Sequence, residues 1–66
     1  MERELRHQLL VLIRDWAIAQ HRMVVQQTGQ NPGVVWREIW PEIRDILHLL
    51  REGRVELILL AISLET

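Results

Sequence analysis

Apolar residues recur along the first third of the chain at alternating spacings of four and three positions. They are Leu5, Leu9, Leu12, Trp16, Ala19 and Met23. This spacing keeps one stripe on a single face of a helix, turned toward a partner helix. Two further apolar lines run beside the stripe, through Leu10, Ile13, Ala17 and Val24 and through Val11, Ile18 and Val25. Because the three lines together exceed the roughly 100° arc that one core-facing stripe needs, the pattern predicts a helix over about residues 3–27 that is covered from more than one direction.

A short segment of turn-forming residues follows this helix, with the sequence TGQNPG at positions 28–33. Its brevity predicts a hairpin connection between antiparallel helices. Gly29 is well placed to end the first helix in the left-handed conformation, and Asn31 followed by Pro32 is typical of an N-cap with proline at the first helical position. A second helix is predicted over about residues 34–52. Its buried face is Val35, Ile39, Ile43, Ile46 and Leu50, flanked by Trp36, Trp40 and Leu47.

Pro41 lies in the middle of this second helical pattern. Proline in a helix interior removes one backbone hydrogen bond and clashes with the preceding turn. The apolar phase nevertheless continues across it, so we predict one kinked helix rather than two separate pieces. Gly53 is placed to end that helix.

The C-terminal segment, about residues 54–65, contains six consecutive apolar residues from Leu57 to Ile62. Its leucine content favours a helix over a strand, and either structure has apolar residues on both faces. One face can pack on the hairpin, whereas the other needs a second chain. The pattern therefore predicts an all-α fold: an antiparallel hairpin of a long first helix and a Pro-kinked second helix, plus a short C-terminal helix, completed as a homodimeric helical bundle.

Size and composition support self-association. A single domain of 66 residues buries only about 60% of the surface that its unfolded chain exposes, and domains of this size usually need disulfides, a metal or oligomerisation. The chain has no cysteine, and 48% of its residues are hydrophobic. Of the three routes, we expect oligomerisation, as a homodimer or a higher assembly.

The charge pattern argues against nucleic-acid and membrane partners. Eight arginines and nine acids give a formal charge of −1, which provides no overall field toward nucleic acid or an anionic membrane. A signal peptide needs a longer apolar core than the N-terminus offers, and a membrane span needs about 20 apolar residues. We therefore expect a cytoplasmic protein with no membrane partner.

One carboxylate pair has the spacing of a metal site. Glu42 and Asp45, in the sequence EIRD, share a helix face as a magnesium site requires. In this pair alone the chain resembles all-α nucleotide pyrophosphohydrolases, which implies a metal-dependent nucleotide hydrolase as a further alternative. That family also needs a second acidic pair on a neighbouring helix, where the first helix offers only Asp15 in its body. Arginines alternate with these acids, which favours a solvated face, so we predict no metal and no cofactor.

Other catalytic groupings are missing from the sequence. The chain has neither cysteine nor lysine, its single serine, Ser63, lies in the apolar tail, and His7 and His21 fall on the polar side of the first helix. No arrangement of serine, histidine and acid suggests a nucleophile. We therefore predict a protein that is not an enzyme.

The stretch WREIWPEIRDILHLLREGRVELI provides an alternative of a different class. It resembles in outline the recognition helix and first wing strand of a winged helix, with residues 34–54 as the DNA-binding segment. Its arginines at seven-residue spacing would then face phosphate. The hairpin loop leaves no room for a preceding short helix, and too few residues follow Ile62 for a returning wing strand. Nucleic-acid binding therefore remains the alternative.

The sequence as a whole favours a non-catalytic helical interaction or regulatory module that associates with itself and docks on a larger protein. The predicted self-association residues are Leu9, Leu12, Trp16, Met23, Leu57, Leu60, Ile62 and Leu64. The predicted partner-binding residues are Trp36, Arg37, Trp40 and Arg44, because tryptophan and arginine are enriched at binding hot spots. In a chain without phenylalanine or tyrosine, the tryptophans are also expected to be the large fillers of the core.

Overall fold

The fold was obtained as a computed structural model, which describes residues 1–65. It contains three helices, and no strand occurs within that range. They are α1 (Arg3–Thr28), α2 (Pro32–Arg51) and α3 (Val55–Glu65). The predicted all-α architecture is confirmed, and so is the helical form of the C-terminal segment. No helix in this range combines the length and apolar character that crossing a bilayer requires.

α1 sets the length of the molecule. At 1.5 Å per residue, its 26 residues span about 39 Å, and the longest dimension of the molecule is 40 Å. The helix begins after Glu2, whose carboxylate accepts a hydrogen bond from the Glu4 N–H at 2.9 Å. It ends at Gly29, which adopts the left-handed conformation (φ 68°) and donates its N–H to the Val25 carbonyl. The predicted role of this glycine is therefore confirmed.

α2 starts at the predicted cap. The Asn31 side-chain oxygen accepts a hydrogen bond from the Gly33 N–H at 2.8 Å, and Pro32 occupies the first turn, where its missing N–H costs nothing. The helix then continues unbroken through Pro41, as predicted from the phase of its apolar residues. It ends in a Schellman motif, in which left-handed Gly53 donates to the Leu50 carbonyl and the next residue donates to the Leu49 carbonyl.

One apolar core joins the three helices. Its buried members are Leu9, Ile13, Trp16, Ala17, Ile43, Ile46, Leu50 and Ile58. α2 packs along α1 in an antiparallel hairpin, and α3 folds back against this hairpin. The predicted buried face of α2 is confirmed, since Val35, Ile43, Ile46 and Leu50 are buried and Ile39 is half-buried.

The buried face of α1 differs from the predicted stripe. Leu9 and Trp16 of that stripe are buried, but Leu12, Ala19 and Met23 are exposed. Ile13 and Ala17, from the second apolar line, complete the core instead. The reason is that α2 packs between the predicted stripe and the second apolar line. Each of the two lines therefore contributes to the core only the residues that lie nearest α2.

α3 is attached to the hairpin through one central residue. Ile58 is fully buried, with 0% of its surface exposed, and its flanking contacts come from half-buried Val55, Ala61 and Ile62. A winged helix would need this segment as its first wing strand, whereas the segment is helical. The remaining apolar residues of α3 face away from the core.

Candidate interaction surfaces

An apolar groove, here called the α1/α2 groove, runs along one side of the hairpin between the first two helices. It has a volume of about 290 Å³. Its lining consists of Leu10, Ile13, Arg14, Ala17 and Ile18 from α1 and Trp36, Trp40, Ile43 and Leu47 from α2. Apart from the arginine, every lining residue is apolar. Because Leu10, Ile18, Trp36 and Trp40 remain exposed, the groove offers apolar surface that its own chain leaves uncovered.

Trp36 and Trp40 form one wall of this groove and are 39% and 50% exposed. The prediction that the tryptophans are core fillers is therefore correct for Trp16 and wrong for these two. Both lie at the edge of the apolar arc of α2 and not at its centre, so α1 covers one side of each ring only. Their exposure agrees with the alternative role, contact with a partner.

The Trp36 ring is held in place by His21. The two rings stack with centroids 3.9 Å apart and planes within 10°. The histidine also bonds through Nε2 to the Pro32 carbonyl at 2.9 Å, and since a carbonyl only accepts, Nε2 must donate. Sequence reasoning placed His21 on the polar side of α1 and missed this contact. The predicted antiparallel hairpin could have indicated this contact, because it brings residues on either side of the loop together.

The charges around the groove have one sign. Two shallow depressions adjoin it, one lined in part by Ile18, His21 and Arg22 and the other by Gly33, Trp36, Arg37 and Trp40. The ionisable residues lining the three features are Arg14, His21, Arg22 and Arg37. No acid from the described part of the chain lines any of them, although the chain as a whole carries a formal charge of −1.

These arginines differ in their pairing. Arg14 contacts the neighbouring Asp15 at 3.1 Å, with both side chains more than 60% exposed, and an exposed pair of this kind contributes little. Within residues 1–65, neither Arg22 nor Arg37 has a carboxylate partner. The predicted partner residue Arg44 is exposed but lies outside the groove lining. The groove is therefore an apolar surface with a basic border.

A second uncovered apolar surface lies on α3. Leu57, Leu60 and Leu64 follow one another at spacings of three and four, the spacing of one helix face, and Leu60 and Leu64 are 54% and 76% exposed. We call these three residues the leucine face. It lies away from the side on which Ile58 is buried.

The structure divides the predicted self-association residues into three groups. Leu9 and Trp16 are buried within their own chain, so they have no surface to offer a second one. Ile62 is half-buried beside the core. Leu12 and Met23 on α1 remain exposed, together with the leucine face.

The possible metal site on α2 consists of two carboxylates. Glu42 and Asp45 are exposed on α2, and the described residues contain no group of three or more histidines or acids arranged to hold a metal ion. Within the part of the chain that the structure describes, the second acidic pair that a nucleotide pyrophosphohydrolase needs does not adjoin them.

In comparisons with known proteins, no family model matches the sequence, and no curated protein or solved structure is significantly similar to it. What can be inferred about function therefore depends on the two uncovered surfaces, the α1/α2 groove and the leucine face.

Proposed function

We propose that this protein is a non-catalytic helical interaction module that associates with itself and docks on a larger protein partner. The observation that carries the proposal is the leucine face of α3. It places Leu57, Leu60 and Leu64 in water on a helix whose opposite side is already packed. Contiguous exposed apolar surface of this kind marks interaction sites on small proteins.

Contact between two leucine faces contributes about as much free energy as association costs. Burying one leucine side chain completely contributes about 1.5–3 kcal/mol, and the six leucines of two faces are already partly covered. Their combined burial is on the order of 5–10 kcal/mol, which is comparable with the roughly 4–15 kcal/mol lost in translational and rotational freedom on association. The leucine faces alone therefore only balance this loss, and a stable pair must cover further apolar surface.

The docking half of the proposal is based on α2. Trp36, Arg37 and Trp40 line one depression, and Arg44 lies exposed one turn beyond Trp40. Tryptophan and arginine are the residues most enriched among binding hot spots. The stack on His21 orders one of the rings in advance, which reduces the entropy that a partner must remove on binding.

Self-association is tested by sedimentation of the wild type and of Leu60→Glu. We expect the wild type to sediment as a dimer and Leu60→Glu to shift toward monomer, because a carboxylate would be buried between chains without a partner. Since residue 60 is more than half exposed within its own chain, the variant should keep its helical circular dichroism. Gln27→Glu adds the same charge at an exposed position of α1 and should sediment as wild type. A wild type that stays monomeric at every concentration would remove the proposal.

Docking is tested by capture from a host lysate with the wild type, Trp40→Ala and Arg44→Glu as bait. We expect a protein that is retained by the wild type and reduced several-fold by both variants, because each removes part of an exposed hot spot without touching the core. Arg3→Glu, an exposed substitution at the distant start of α1, is the matched control and should retain the protein. Equal capture by all four baits would contradict docking through α2.

A further inference from the structure

We infer that the leucine face of α3 in one copy occupies the α1/α2 groove of a second copy. This inference rests on the proposed self-association and names the two surfaces that meet. It assigns the groove a ligand of known sequence, an apolar helix with acidic residues. Three properties of the described residues support it: length, anchor spacing and charge.

The groove and α3 match in length. The part of α2 that lines the groove runs from Trp36 to Leu47, which spans about 18 Å at 1.5 Å per residue. α3 has 11 residues and is about 16 Å long. A helix of this size lies along the whole groove without extending far past either end.

The anchors also match. Helices that bind in grooves present large apolar residues at positions i, i+3 or i+4, and i+7, and Leu57, Leu60 and Leu64 have this spacing. The groove has uncovered apolar side chains on both walls, with Leu10 and Ile18 on α1. Trp36 and Trp40 face them from α2. Covering this surface in both copies supplies the additional burial that the leucine faces by themselves lack.

The charges of the two surfaces are opposite. The ionisable residues that border the groove and its neighbouring depressions are arginine or histidine. The charged residue of α3 whose side chain the structure describes, Glu56, is acidic and exposed. Each surface also has an exposed arginine beside an acid, Arg14 at 3.1 Å from Asp15 at the groove and Arg54 at 3.8 Å from Glu52 just before α3. Complementary potentials of this kind select the orientation of a contact and disfavour wrong pairings.

The leucine face and the groove of one chain do not meet each other. The side of α3 that carries Ile58 remains packed on its own hairpin, and no residue of α3 lines the α1/α2 groove within the described chain. Each chain therefore presents one helix face and one groove. A twofold axis that places both faces in both grooves gives a closed dimer, in which two identical contacts form without exchange of the core.

The absence of cysteine makes disulfide trapping a direct test. Leu57, Leu60 and Leu64 are changed singly to cysteine, and each variant is mixed with Ile18→Cys or Trp40→Cys under mild oxidation. All five positions are exposed in the single chain, so the variants should stay folded. A disulfide forms readily only where the two Cα atoms come within about 4.4–6.8 Å. We expect at least one mixed pair to cross-link several-fold faster than the same α3 variant mixed with Asp45→Cys, an exposed α2 position outside the groove.

The outcomes separate the inference from the proposed function. Rapid cross-linking of α3 variants to themselves, with none to groove positions, would overturn the inference and leave self-association standing. A wild type that sediments as a monomer, with no cross-link faster than the Asp45→Cys control, would overturn both. As an independent check, Arg37→Glu should weaken the dimer several-fold and Glu56→Arg on the same chain should restore part of the loss, and failure of both substitutions to alter dimerisation would contradict the charge argument.

Discussion

Replacing Ile58 with alanine is expected to lower the free energy of unfolding by about 2–5 kcal/mol, the usual range for isoleucine-to-alanine changes in a core. The total stability of a 66-residue domain is about 3–10 kcal/mol at 0.05–0.15 kcal/mol per residue. Loss of this one side chain would therefore remove a large part of the stability. The effect should be large because Ile58 is the fully buried residue through which α3 meets the core.

Leu60→Ala is the matched control for this prediction. It removes a side chain of similar size from the same helix, but at a position that is 54% exposed. At concentrations where the chain is monomeric, its effect should stay within about 0.5 kcal/mol, as is usual for surface substitutions. Urea unfolding followed by far-ultraviolet circular dichroism measures both variants. Equal losses for the two would show that α3 is not attached through Ile58.

The second large effect is expected at Trp16. Trp16→Ala should lower the free energy of unfolding by about 3–5 kcal/mol, because it leaves a large cavity in the core. Trp16→Phe should cost much less, for two reasons. Phenylalanine keeps most of the buried ring, and it removes the indole N–H, which is buried without a hydrogen-bond partner in the described chain. An unsatisfied buried donor costs about 1–3 kcal/mol, and its removal offsets part of the lost packing.

The comparison between the two Trp16 variants is the informative measurement. Both are followed by circular dichroism during urea unfolding, because the substitution removes one of the tryptophan fluorophores. We expect Trp16→Phe to stay within about 1.5 kcal/mol of the wild type, as for other conservative core replacements. Trp40→Phe, at a half-exposed ring, is the control for loss of an indole as such. A Phe variant as unstable as the Ala variant would contradict this prediction.

Local sequence signals located the helices well. The Asn31–Pro32 cap and the left-handed glycines at 29 and 53 are backbone requirements that a few neighbouring residues satisfy by themselves. The buried face of α2 was also correct, because its apolar arc has one clear centre. Pro41 did not interrupt the helix, as the continuous apolar phase on both sides predicted.

The sequence of α1 alone does not determine which of its faces is turned toward the core. With apolar residues on three lines, several rotations bury similar areas, and contact with α2 selects among them. The α1/α2 groove and the His21–Trp36 stack depend on that rotation, so neither could be derived before the two helices were placed together. For the same reason Leu9 and Trp16 were predicted at a surface between chains but lie in the core of one.

If the groove receives α3 of a second copy, self-association and docking on a partner compete for Trp36 and Trp40. A partner that uses these rings must displace the second copy, and the second copy must weaken binding of the partner to the same extent. As the concentration of the protein rises, its apparent affinity for the partner therefore falls. The module would then respond to its own abundance. Such coupling requires no structural change within the hairpin.

The two connections between helices are only three residues long, 29–31 and 52–54. Each helix therefore meets its sequence neighbour first, and most contacts in the described chain are local because they lie within single helices. Helical proteins of such low contact order fold in microseconds to milliseconds. If the chains associate as proposed, each would fold before it met a second copy in dilute solution, so the encounter of folded chains, and not folding, would limit the rate of assembly.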